Sequence, residues 1–156
     1  MNKDIVKEYG DVLHDPSSIV DRPLEVLSVG PKLDIALGGG VPEGSLFIMT
    51  GPEKVGKTVT ALTFCANAQK HYARKIYYAN IEGRLKKRDL EGIIDLSLDP
   101  EKMQIIGSTE GNILSAEKYL SIVDNIVHTQ PGSLAVVDSF SALSSEAELT
   151  GDLSDM

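Results

Sequence analysis

The sequence predicts an α/β fold, a layered domain built on a mostly parallel sheet, and three observations carry that prediction. Short apolar runs of strand type alternate with segments of helical spacing from about residue 45 to residue 139. A G-x-x-x-x-G-K-T pattern, Gly51 to Thr58, sits between one such run and one such helix. The chain has 156 residues, 42% of them apolar, enough for a single core rather than a disordered tail.

The first 25 residues are polar and contain the turn signals "HDPSS" and "DRP", so residues 1–28 are expected to form a lead-in arm able to dock on a neighbour. From residue 29 the core is expected to begin. Leu33, Ile35, Ala36 and Leu37 give a short helical pattern, closed by three glycines and a Pro-Glu-Gly turn. "SLFIMTG" is then a continuous apolar run ended by glycine, the pattern of a strand buried on both faces. "KTVTALTFCANAQKHYAR" follows as a helix, with Val59, Leu62, Cys65 and Ala66 at helical spacing and basic residues near its end. "KIYYANIE" reads as a strand, "RDLEGIIDLSL" as a short helix, and "KMQIIGS" as a further strand. "NILSAEKYLSIVDNIVHTQ" is a helix and "SLAVVDS" a last strand. Crossovers of this kind place consecutive strands in parallel.

The charge is acidic, with a net of -8, which argues against a surface that grips nucleic acid throughout by neutralising phosphate. The one dense basic run is Arg84, Lys86, Lys87 and Arg88, for which a solvated helix face is the commoner meaning. No apolar run approaches the roughly 18 residues of a membrane span, and the charged N-terminus lacks the apolar centre of a signal sequence, so a cytoplasmic protein is expected. The single cysteine, Cys65, excludes an internal disulfide and is expected to act as a small buried hydrophobe. His14, His71 and His128 are scattered and expected at the surface.

The chemistry is concentrated around the glycine pattern. Glycines at 51 and 56 permit backbone conformations that turn successive N–H groups toward phosphate oxygens, and the helix beginning near Lys57 adds its positive end. Gly51, Pro52, Glu53, Lys54, Val55, Gly56, Lys57 and Thr58 are therefore the expected nucleotide-binding residues, with Lys57 on the β and γ phosphates and the Thr58 hydroxyl on Mg²⁺. Asp138, ending the apolar strand "LAVVDS", is the expected second metal residue, although an Asp before a Ser can also be a helix cap. Glu82, at the end of "YYANIE", is placed to orient and deprotonate an attacking water, or else to begin a helix.

These segments, "LDIALGGGVPEGSLFIMTGPEKVGKT", "YYANIEGRL" and "LAVVDSFSALSSEAELTGDLSDM", resemble the core of bacterial RecA and the related phage-encoded strand-exchange recombinases, from about Val29 to Met156. The resemblance implies a RecA-like three-layer α/β/α P-loop NTPase core, truncated after the Walker B strand. It implies that Gly51 to Thr58 bind ATP and Mg²⁺, that Glu82 activates water, and that Asp138 belongs to the metal shell. It implies a DNA-dependent ATPase that assembles head to tail on single-stranded DNA for recombination and repair. Glu146 to Met156 would match the start of the first DNA-binding loop, so the chain is expected to be the N-terminal portion of such a protein, lacking a second DNA loop and a C-terminal domain. Seven residues after Glu82, where the family commonly places an adenine-stacking tyrosine, this chain has Asp89.

The missing portion would include a strand inserted between the phosphate-loop strand and the Asp-bearing one. Its absence predicts unpaired backbone groups, exposed apolar faces and a marginal or partner-dependent chain. Two alternatives stay open: a non-catalytic fragment that binds nucleotide and poisons or complements a full-length recombinase, and a helicase-type relative on the same core.

Overall fold

The computed structural model describes residues 16–17, 24–145 and 148–149. The expected start of a DNA-binding loop at Glu146 to Met156, apart from Glu148 and Leu149, and most of the expected arm, with His14, lie outside the described residues. The centre is a three-stranded parallel sheet of β3 (Ile76–Asn80), β4 (Met103–Ile106) and β5 (Leu134–Asp138), in the order β4-β3-β5. The register pairs Tyr78 with Val136 and Asn80 with Asp138.

Helix α2 (Lys57–Tyr72) covers one face of this sheet and α4 (Ala116–Thr129) the other. Side chains alternate across a strand. Ile76 and Tyr78 accordingly join Leu62, Phe64, Cys65 and Ala68 of α2 in the main core, whereas the Tyr77 hydroxyl turns away to donate to Gln130 at the end of α4. Cys65 is fully buried, and burial pushes its thiol up to about 12, so it packs and does not react. His71 and His128 are exposed.

Ahead of the sheet, β1 (Val26–Leu27) and β2 (Val41–Pro42) form a short antiparallel pair flanking α1 (Pro31–Leu37). Asp34 ties this unit together by accepting from Ser28 Oγ at 2.6 Å and from the N–H of Val29 and Gly30 at 2.8 and 3.2 Å. The Ser28 hydrogen bond leads in holding its carboxyl below the usual range, against a smaller opposing effect of desolvation. Asn67 of α2 donates to the carbonyls of Ser28 and Val29, both at 3.3 Å, locking the unit onto the core helix.

Gly40 is where this unit has no slack. Its φ is 135°, and a Cβ there would lie 2.4 Å from the Leu27 carbonyl oxygen, which the pairing of β1 with β2 holds in place. Gly40→Ala is expected to destabilise the fold by roughly 2–3 kcal/mol, read as a lower urea midpoint; an unchanged midpoint would contradict the packing described.

Two expected elements differ. The helix predicted over "RDLEGIIDLSL" is only α3 (Lys87–Glu91), because it closes at Gly92, whose N–H already bonds back to Arg88, and the following residues turn. The strand predicted for "SLFIMTG" forms no ladder and has no regular secondary structure. Phe47 points inward, edge-on to Phe64 at 6.5 Å, while Leu46 and Ile48 are 83% and 69% exposed. Among the described residues, nothing forms a ladder with residues 45–50, and β5 has a partner on one edge only. A run apolar on both faces is thus covered on one.

Candidate functional site

Three of the predicted residues converge at the C-terminal ends of the strands. Thr58, in the first turn of α2, donates its hydroxyl to Asp138 Oδ2 at 2.9 Å across 80 residues of sequence. Asp138 ends β5, and Glu82 follows β3 by two residues, so the parallel pairing brings both carboxylates to the same sheet edge. Thr58, Glu82 and Asp138 line one small cavity of about 90 Å³ together with Asn80, Arg84, Leu85 and Asp89. That space suits a hydrated cation or a few waters and is too small for a nucleotide.

The glycine loop borders this cavity without lining it, Thr58 excepted. Gly56 caps the helix with φ 93°, a left-handed conformation that favours glycine and lets α2 begin abruptly at Lys57. Lys57 does not reach toward the strand ends. Its Nζ donates to the carbonyl oxygens of Gly51 and Pro52 at 2.9 and 2.7 Å, so the loop wraps its own lysine. Gly51 to Val55 are exposed.

Glu82 is held from two sides. Ser139 Oγ donates to its Oε1 at 2.8 Å, and Arg84 Nη1 lies 3.6 Å from its Oε2. Ser139 is in turn 2.8 Å from Ser141 Oγ, which anchors the 3-10 turn Phe140–Ala142 behind β5. Arg84, Lys86, Lys87 and Arg88 are all exposed, the solvated face expected of the basic run. Asp89 accepts from the backbone N–H of Lys86 at 2.9 Å and caps α3. The position at which the resemblance implies a stacking aromatic ring is therefore a helix-capping carboxylate.

Sequence reading missed Tyr78, whose hydroxyl donates to Asp138 Oδ2 at 2.7 Å. Burial is the main cause that raises its pKa, with the Asp138 hydrogen bond and charge adding to it, so the phenol stays a protonated donor. The available signal was strand parity: Tyr78 and Asn80 share a face, and Asn80 pairs with Asp138.

The donor set fits Mg²⁺ in kind. A hydroxyl and a carboxylate side by side are hard oxygen ligands, and Mg²⁺ commonly takes one or two protein oxygens and completes its shell with phosphate and water. No cluster of three or more His, Cys, Asp or Glu that would hold a metal without such help occurs among the described residues.

The family profile of the RecA N-terminal domain matches residues 3–156. The chain belongs to the RecA family. It is 33% identical to Protein RecA of Phytoplasma mali over 162 aligned positions, 99% of this chain and 44% of that protein. It is 37% identical to Protein RecA of Streptomyces venezuelae over 141, covering 86% of this chain and 34% of that one. Protein RecA of a Nostoc species matches at 34% over 85% of the chain and 35% of its own length. The chain thus spans less than half the length of these curated relatives. With the parallel sheet, this membership makes the fold the N-terminal part of a RecA-like P-loop NTPase.

Proposed function

We propose that this chain is the ATP-binding portion of a RecA-type recombinase, a DNA-dependent ATPase acting in homologous recombination and repair in the cytoplasm. The observation that carries the reading is the convergence of Thr58, Asp138 and Glu82 on one cavity beside the glycine loop. In this reading the triphosphate lies along Gly51 to Thr58, and Lys57 leaves the Gly51 and Pro52 carbonyls for the β and γ phosphates. Thr58 would ligate Mg²⁺ and Asp138 would hold its shell, the ion supplying charge neutralisation at the phosphates. Glu82 orients a water and takes its proton at a carboxylate oxygen, with Ser139 fixing the other oxygen.

Family membership supports single-stranded DNA and a head-to-tail filament as the partners. ATP hydrolysis should rise on adding single-stranded DNA to the chain, alone or joined to a C-terminal half, and turnover at one rate with and without DNA would contradict the proposal. No helix among the described residues is long and apolar enough to cross a membrane.

The unpaired segment 45–50 favours a second reading of how the chain works. Exposed Leu46 and Ile48, and the edge of β5 left unpaired among the described residues, suit an added strand, which a C-terminal half or a partner chain would supply. By itself the chain would then bind nucleotide without turnover. Mixing it with an intact relative separates the cases: restored or enhanced hydrolysis indicates complementation, and inhibition below equimolar ratio indicates poisoning.

A further inference from the structure

We propose that Tyr78 is a positioning residue for the divalent cation of this site, acting through Asp138. The inference rests on the nucleotide reading above and adds a residue to it. Tyr78 is fully buried on the α2 side of β3, among residues otherwise apolar, where a phenol requires a partner for its hydroxyl. The partner is Asp138 Oδ2, which also accepts from Thr58. Two donors from two elements, at 2.7 Å from β3 and 2.9 Å from α2, fix the same carboxylate oxygen.

The consequence for a cation follows from Mg²⁺ chemistry. Mg²⁺ demands near-octahedral geometry, so it is held best by ligands that cannot rotate. Thr58 spends its proton on Asp138, which leaves the lone pairs of its oxygen for the ion. With Thr58 alone as donor, the carboxylate would have to follow whatever movement Thr58 makes on coordination. The Tyr78 hydroxyl, anchored in the core, keeps Oδ2 in place through that change. Phenylalanine fills nearly the same volume and removes only this restraint.

The test is equilibrium binding of a fluorescent ATP analogue to the full 156-residue chain as Mg²⁺ is raised. Tyr78→Phe is expected to increase the half-saturating Mg²⁺ concentration about tenfold, the lower end of the usual cost of losing a group behind a metal ligand. Its affinity measured with EDTA in place of Mg²⁺ should match the parent chain. Cys65→Ala, which removes atoms from the same buried cluster, should leave the Mg²⁺ response unchanged. An unaltered Mg²⁺ response in Tyr78→Phe overturns the inference, and so does an equal rise in Cys65→Ala. A Tyr78→Phe chain that also loses its EDTA-state affinity marks a structural role and overturns it too. Absence of binding by the parent chain overturns the nucleotide reading itself, and this inference with it.

Discussion

Lys57→Ala is expected to reduce ATP hydrolysis by about 10²–10³-fold and to weaken ATP binding at least tenfold, because the loop loses the side-chain cation placed at the helix start to follow the terminal phosphates. In the structure Lys57 Nζ occupies the Gly51 and Pro52 carbonyls. The same substitution therefore removes two exposed hydrogen bonds, whose net contribution to stability is small in water. Thermal midpoints of the parent and variant chains should agree closely while their nucleotide titrations diverge. Equal affinities would show that the loop binds no phosphate through this lysine.

Glu82→Gln separates chemistry from binding. A general base contributes about 10²–10⁴-fold to rate, so turnover should fall by that factor while ATP affinity stays within about threefold. Glutamine keeps the oxygen that accepts from Ser139, so the geometry of the turn behind β5 is preserved. It gives up the negative charge that faces Arg84, an exposed pair of little consequence for stability. Single-turnover hydrolysis, started by adding Mg²⁺ to preformed complex, reads the chemical step directly. A variant as fast as the parent would move the base elsewhere, and a variant defective in binding would make Glu82 a structural residue.

Much of this arrangement can be read from local pattern. The helix Lys57–Tyr72 and the strands Ile76–Asn80 and Leu134–Asp138 follow from spacing and apolar runs, because each is defined by its own sequence and by one buried neighbour. Thr58, Glu82 and Asp138 stand out as candidates because their positions relative to strand ends are local, and the parallel sheet gathers those strand ends on one edge. What local pattern cannot contain is pairing. Residues 45–50 have the composition of a central strand, yet Leu46 and Ile48 face solvent because strand formation needs a neighbour. The expectation of unpaired groups beside the Asp-bearing strand came from the resemblance, and the bare face of 45–50 matches it.

Other misses have the same origin. Tyr78 reads as a β-former until Asp138, sixty residues away, supplies its partner. Lys57 is recognisable as a candidate phosphate ligand, but its contact with Gly51 and Pro52 depends on how the loop folds. The short β1 and β2, two residues each, carry no periodicity, and only Gly40 hints at the close approach between them. Val59, counted among the apolar positions of its helix, is 57% exposed, because the buried stripe runs through Ala61, Leu62, Cys65 and Ala68 instead.

The central claim is that MgATP binds along Gly51 to Thr58 and is coupled to Asp138. Amide hydrogen exchange with and without MgATP tests it residue by residue. Protection should appear at the loop amides and the first turn of α2, extend to the end of β5, and vanish in Lys57→Ala. Exchange that is unchanged at residues 51–58, or protected only elsewhere on the chain, would contradict it.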